Sequence, residues 1–293
     1  MQRRLSEKTA NAYGRDLADF FRFLSAYQER QIALDDLKSL RVTDIRAFLA
    51  KRRGDGLSAR SVARVICALR SFFKFLGRSE GVVVSAIDAI SAPKVPKSLP
   101  RPLSVDASRD LIDAVDGLST EPWIAARDTA VLLLLYGAGL RIAEALSITA
   151  ANAPTPEKVR QNGGSITITG KRNKERLVPI LPVISEAVEA YMKSAPYHLD
   201  PDQPVFRGAR GGALSPRIVQ QSVQKARAVL ELPASATPHA LRHSFATQLL
   251  SRGGDLRTIQ ELLGHADLAS TQVYTDVDQS ALMDVYNKAH RRA

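Results

Sequence analysis

Thr237-Pro-His-Ala-Leu-Arg-His-Ser-Phe-Ala-Thr247, followed by Gly264-His265 and Tyr274, is the stretch on which the reading of this chain turns. Thr237 offers the hydroxyl that an N-cap needs, and Pro238 has the fixed φ suited to a first helical residue, so a helix starts here. His239 and Arg242 then fall three apart on one face of the first turns, where the positive helix terminus favours a phosphate. His243 points elsewhere and reads as a packed or supporting residue. Gly264 ends a further helix and turns His265 away from the core, and Tyr274 stands among polar neighbours, unlike a core tyrosine. Upstream, Arg141 follows the break Gly137-Ala-Gly139 with Glu144 three residues on, and Lys171 lies in the turn-like Gly170-Lys-Arg-Asn-Lys174. Guanidinium forks match the non-bridging oxygens of a phosphoryl transition state. A phenol, with a pKa of roughly 10, attacks only when something accepts its proton and cations meet the developing charge. Taken singly, each residue has an ordinary explanation: a helix-surface ion pair for Arg141 and Glu144, a solvated turn charge for Lys171, packing for Tyr274. The specificity lies in the set.

Working outward from that stretch, helical periodicity covers Ser6 to about Tyr27, Val42 to Arg53 and Ser58 to Leu76, with a fourth helical segment expected around Val82 to Ile90. The phenylalanines of this region recur at the spacing of a buried face and read as core, not as a base-stacking platform. Cys67, within the third pattern, reads as a buried free thiol. Four prolines between Ala92 and Pro102 favour an extended, semi-rigid connection. The expected division is a helical domain over 1–91, a linker over 92–102 and a second domain over 103–293. The second domain opens with helical patterns at about 104–117 and 121–136. Two strands follow, Ser165 to Thr169 and Arg176 to Ile180, making a hairpin with Lys171 near its tip. Helices are expected again at about 182–194, 215–230, 238–252, 255–263 and 279–289, giving a mainly α chain with one small sheet.

The net charge of +11 on 293 residues points to a polyanionic partner. Its distribution is uneven: residues 1–101 hold 20 basic and 10 acidic side chains, residues 102–293 hold 21 and 20. The first third is therefore the expected electrostatic grip. The longest apolar run, Ala130 to Leu140, is too short to span a bilayer, and Met1-Gln-Arg-Arg4 lacks a signal-peptide core. A cytoplasmic protein with no membrane partner is expected. One cysteine gives neither disulfide nor metal cluster, and the chain shows no phosphate-binding Gly-Lys loop and no clustered carboxylates for Mg²⁺. No cofactor and no metal are expected.

Four segments together resemble the signature boxes of the tyrosine recombinase, or phage-integrase-like, family in their proper order. They are Leu135-Tyr-Gly-Ala-Gly-Leu-Arg-Ile-Ala-Glu144, Gly170-Lys-Arg-Asn-Lys-Glu-Arg-Leu-Val-Pro179, His239 to Thr247, and Leu262-Leu-Gly-His-Ala-Asp-Leu-Ala-Ser-Thr-Gln-Val-Tyr274. Within the family the chain is most similar to the bacterial Xer branch, and its linker and ending are more similar to the XerC than to the XerD group. The resemblance implies a SAM-like core-binding domain and a catalytic domain forming a C-shaped clamp on duplex DNA. It implies Tyr274 as nucleophile, forming a 3′-phosphotyrosyl bond and releasing a 5′-hydroxyl, with Arg141 and Arg242 on the scissile phosphate. Lys171 would be the general acid, His239 the proton acceptor, His265 a hydrogen-bonding partner of the phosphate, and Glu144 an orienting residue. It further implies four protomers per synapse, a Holliday-junction intermediate, a C-terminal helix docked on the neighbour, and recombination at a dif-type site that resolves chromosome dimers. The implied partners are an XerD-type subunit in a heterotetramer and an FtsK-type translocase, all at the nucleoid. A phage or transposon integrase, a relaxing topoisomerase, a DNA-binding architectural protein and an RNase-like phosphodiesterase using His239 and His265 are the alternative readings.

Overall fold

Ser58 accepts a hydrogen bond from the Ser61 backbone N–H at 3.2 Å and so caps one of the two longest helices of the N-terminal unit. The computed structural model describes residues 7–94, 102–170 and 175–251. It divides into two units, Met1–Ser98 and Leu99–Ala293.

The first unit comprises α1 (Glu7–Gln28), α2 (Leu34–Lys38), α3 (Val42–Gly54) and α4 (Ala59–Ser79). Val62, Val65, Ile66, Leu69, Phe73 and Leu76 form the inner stripe of α4 and close on Phe20 and Leu24 of α1 and Ile45 and Phe48 of α3. The Phe20 ring stands edge-on to Phe48 and Phe73, with centroids 5.1 and 6.1 Å away, the geometry that aromatic quadrupoles favour. The phenylalanine stripe is core, as its spacing implies, although Phe75 faces solvent. Two expectations fail. Over 82–90 there is only a three-residue 3₁₀ turn, Ser85–Ile87. Gly81 enters at a φ of +66°, and the β-branched run Val82-Val-Val84 alternates buried, exposed, buried as extended chain does. Cys67 is exposed. It directly follows Ile66 and so turns about 100° off the buried stripe, toward the side of Arg64 and Arg70.

The second unit contains α5 (Val105–Asp116), α6 (Pro122–Gly137), α7 (Ile142–Leu146), α8 (Pro156–Gln161), β1 (Ser165–Thr169), β2 (Glu175–Pro179), α9 (Pro182–Ser194), α10 (Pro216–Val229) and α11 (Pro238–Ser251). Helix α6 is apolar nearly all round, with Ala130, Val131, Leu132, Leu134 and Leu135 fully buried, and α5, α9 and α11 pack about it as a central post. Two polar ties hold α11. The buried Leu103 N–H donates to Ser244 Oγ at 2.7 Å, and Tyr136 Oη donates to Gln248 Oε1 at 3.0 Å. Strands β1 and β2 pair antiparallel, Ser165 against Pro179 through Thr169 against Glu175. Among the described residues the chain is thus mainly α with one small sheet. Helix α8, begun by Thr155 and Pro156, was not anticipated because its six residues are too few to display a period. The helices expected at 255–263 and 279–289 lie outside the described residues, as does the hairpin tip at 171–174. Among the described residues no helix is long and apolar enough to cross a membrane.

Candidate active site

Gly139, at a φ of +61°, turns the chain as it leaves α6, so that Arg141 becomes the residue preceding α7. Glu144, three residues on, folds back and accepts the Arg141 backbone N–H at 2.8 Å, satisfying a helix-start donor. The same carboxylate accepts Arg141 Nη1 at 2.6 Å. On α11, Thr237 Oγ1 accepts the Ala240 N–H at 3.2 Å, so the helix starts where the Thr-Pro pair places it. Arg242, one turn in, donates Nη1 to the Gly139 carbonyl at 2.6 Å and lies 3.5 Å from Glu144 Oε2. From β2, Arg176 lays both guanidinium nitrogens on Glu144, Nη1 to Oε1 at 3.2 Å and Nη2 to Oε2 at 2.8 Å.

One carboxylate therefore underlies three guanidinium groups. Burial pushes the Glu144 carboxyl up, but the Arg176 hydrogen bonds, the Arg141 N–H and the surrounding positive charge outweigh it and hold the pKa down at about 2. Burial, then the nearby charge of Arg141, lowers Arg242 to about 10, still fully protonated at neutral pH. Burial lowers His239 as well, reinforced by Arg242, His243 and Arg141, so its imidazole is neutral and able to take a proton at pH 7. Arg141, His239 and Arg242 line one concavity, with Gln220, Gln224 and Arg227 of α10 along its wall. Two guanidiniums and a neutral imidazole on one concave surface can hold a phosphodiester and accept a proton beside it.

Of the residues singled out in the sequence, Arg141, Glu144, His239 and Arg242 are thus together. His243 is half-buried on α11 and does not line the concavity. Lys171, His265 and Tyr274 lie outside the described residues. Arg176 was missed. Its signal was available: in β2 it is in phase with Val178, on the inward face of the hairpin, where a charge needs a partner. Among the described residues no group of three or more His, Cys, Asp or Glu side chains is placed to hold a metal ion.

The family model described as phage integrase family matches residues 103–281, and that of the phage integrase N-terminal SAM-like domain matches residues 1–80. The chain belongs to the phage integrase family. Tyrosine recombinase XerC of Rhizobium meliloti (strain 1021) is 51% identical to this integrase-family chain over 292 residues, 100% of this chain and 90% of the relative. That of Agrobacterium fabrum (strain C58 / ATCC 33970) is 52% identical over 292 residues, 100% and 91%. Within the phage integrase family the chain is a tyrosine recombinase of the XerC type, an enzyme that cleaves and rejoins DNA. Among solved structures, the XerH site-specific recombinase bound to difH substrate matches with a TM-score of 0.68 at 24% identity, covering 92% of this chain and 78% of that one. A lambda integrase dimer bound to a COC′ core site matches with a TM-score of 0.65 at 17% identity, covering 98% and 73%. These two establish the likeness of fold.

Proposed function

We propose that this recombinase exchanges strands at a dif-type, two-armed site and so resolves chromosome dimers, with Tyr274 as the nucleophile. The observation that carries the reading is the gathering of Arg141, Arg242 and neutral His239 on one concavity around Glu144, in a chain half identical to XerC proteins. Arg141 and Arg242 hold the non-bridging oxygens. His239 accepts the Tyr274 proton, and the tyrosyl oxygen bonds to phosphorus as the bond to the 5′-oxygen breaks. Lys171 protonates that leaving oxygen, and His265 hydrogen-bonds the phosphate. One phosphodiester replaces another, so the 3′-phosphotyrosyl step is near energy-neutral and needs neither nucleotide nor metal. Residues 1–91 act as the core-binding domain, 92–102 as linker and 103–293 as catalytic domain, closing as a clamp on duplex DNA in the cytoplasm, at the nucleoid. A related XerD-type recombinase completes the heterotetramer through the Holliday junction, and an FtsK-type translocase licenses exchange.

The test is a nicked suicide duplex of about 28 base pairs, two half-sites near one helical turn each plus a spacer. The wild-type chain forms a covalent adduct on it in excess chelator, and Tyr274→Phe binds but forms none. An adduct from Tyr274→Phe, or a strict need for Mg²⁺, overturns the mechanism. Adduct without junction formation from two duplexes points instead to a topoisomerase-like strand transferase, and exchange without an XerD-type partner points to an integrase.

A further inference from the structure

Arg176 occupies a position where a strand of this hairpin should carry an aliphatic residue. Its register partner is Ile168, and its next inward neighbour along β2 is Val178; both are buried. Arg176 is itself only 7% exposed. A charge in such a place is costly unless a partner of good geometry compensates it, and the partner is Glu144, met through two nitrogens and two oxygens in the parallel fork arrangement. Arg176 does not line the concavity where Arg141, His239 and Arg242 stand. Glu144 joins it to Arg141 and Arg242.

The geometry points to Arg176 as a positioning residue for the phosphate-holding arginines, clamping Glu144 from the strand side so that one carboxylate serves Arg141 and Arg242 at fixed places. The contact distances rank the three claims on that carboxylate. Arg176 takes both oxygens through one guanidinium, Arg141 takes Oε2 through its backbone N–H at 2.8 Å and Oε1 through Nη1 at 2.6 Å, and Arg242 stands 3.5 Å from Oε2. With Arg176 in place the carboxylate is held from both sides, by the strand and by the Arg141 N–H at the start of α7. Without it the strand-side hold is lost, and the carboxylate can tilt toward Arg141 or Arg242 and draw that guanidinium down and away from the concavity. The hairpin thus supplies the fixed point against which two separate elements, the start of α7 and the first turns of α11, are aligned. Alignment at this scale matters because a displacement near 1 Å costs a catalytic step about 100-fold.

This inference rests on the proposed placement of Arg141 and Arg242 on the scissile phosphate, and the experiment separates the two. Arg176→Met and Arg176→Lys are compared with the wild-type chain in single-turnover cleavage of the suicide duplex. The scissile position carries an ordinary phosphate or either diastereomer of a non-bridging phosphorothioate. Lysine keeps the charge but cannot form the fork, so both variants are expected to slow cleavage by about 100-fold per folded molecule. In both, the wild-type preference between diastereomers falls toward one, and half-site affinity changes by less than about threefold, well under one decade of binding constant. A loss of folded protein lowers all rates together and leaves the diastereomer ratio untouched, so the ratio reports position and not stability. Thermal melting identifies a variant that does not fold, and the other then carries the measurement. Unchanged rate and ratio in the folded variants, or full rescue by lysine, overturn the inference. Arg141→Ala and Arg242→Ala that still cleave, or a wild-type chain with no diastereomer preference, overturn the placement of those arginines instead.

Discussion

Replacing Glu144 by Gln removes one negative charge from beneath three guanidinium groups while keeping the side chain's shape. The folded carboxyl titrates at about 2 against an ordinary 4.5, and at 1.36 kcal/mol per unit that difference is worth about 3 kcal/mol to the folded state. The side chain is 7% exposed, so solvent screens this little. Breaking a buried ion pair by removing one partner costs about 3–5 kcal/mol by a separate route, and the two agree. Because the folded pKa is depressed, the stabilisation is complete above about 4.5 and fades as pH falls toward 2. The linkage expression leaves about 2 kcal/mol of it at pH 3.5. Thermal unfolding of Glu144→Gln at pH 7 should fall by roughly 10 °C, from about 2–4 °C per kcal/mol in a domain of this size. The gap to wild type should narrow between pH 5 and 3.5, and comparing the two proteins at each pH cancels the other titrating groups. A gap that stays constant over that range, or one under about 1 kcal/mol at pH 7, would refute the account of Glu144 as the charged keystone.

Two further outcomes follow from the described geometry, and a third tests the proposed role of Lys171. Histidine NMR of the DNA-free protein should place the His239 midpoint below 6.5, since burial and the neighbouring cations both oppose its charging; a midpoint above that value contradicts the described surroundings. Ser244→Ala orphans the buried Leu103 N–H and should cost about 1–3 kcal/mol in urea unfolding; a loss under about 0.5 kcal/mol, within the scatter of surface substitutions, means another acceptor takes over. Lys171→Ala should slow cleavage of an ordinary duplex far more than of one with sulfur at the 5′-bridging position, because a thiolate leaves without a proton; equal losses remove Lys171 from the general-acid role.

The helices and the hairpin were legible because their signals are local. Ser58, Ser104 and Thr237 each cap the helix that follows, and the apolar stripe of α4 repeats at helical spacing. Where sequence reading failed, a neighbour decided the outcome. Val82 and Ile90 look helical by spacing, but Gly81 and three successive valines hold the segment extended against α4. Within the site, Arg141, Glu144, His239 and Arg242 were visible as chemistry, and Arg141 with Glu144 as neighbours along the chain. Arg176 was not, since its partner lies 32 positions away and only the fold brings strand and helix start together. A charged residue in phase with buried ones along a strand was the overlooked sign.

Cys67 is the single cysteine in 293 residues, and it is exposed on α4. The chain is therefore a ready-made single-label protein. A maleimide dye or nitroxide attaches at one place only, with no background thiols to remove and no substitution near Arg141, His239 or Arg242. Because Cys67 shares its side of the helix with Arg64 and Arg70, the rate of thiol alkylation becomes a footprint of that surface. Alkylation that slows in the presence of duplex would show nucleic acid covering this side of α4, and an unchanged rate would show that it does not, read apart from any bond made or broken in the other unit.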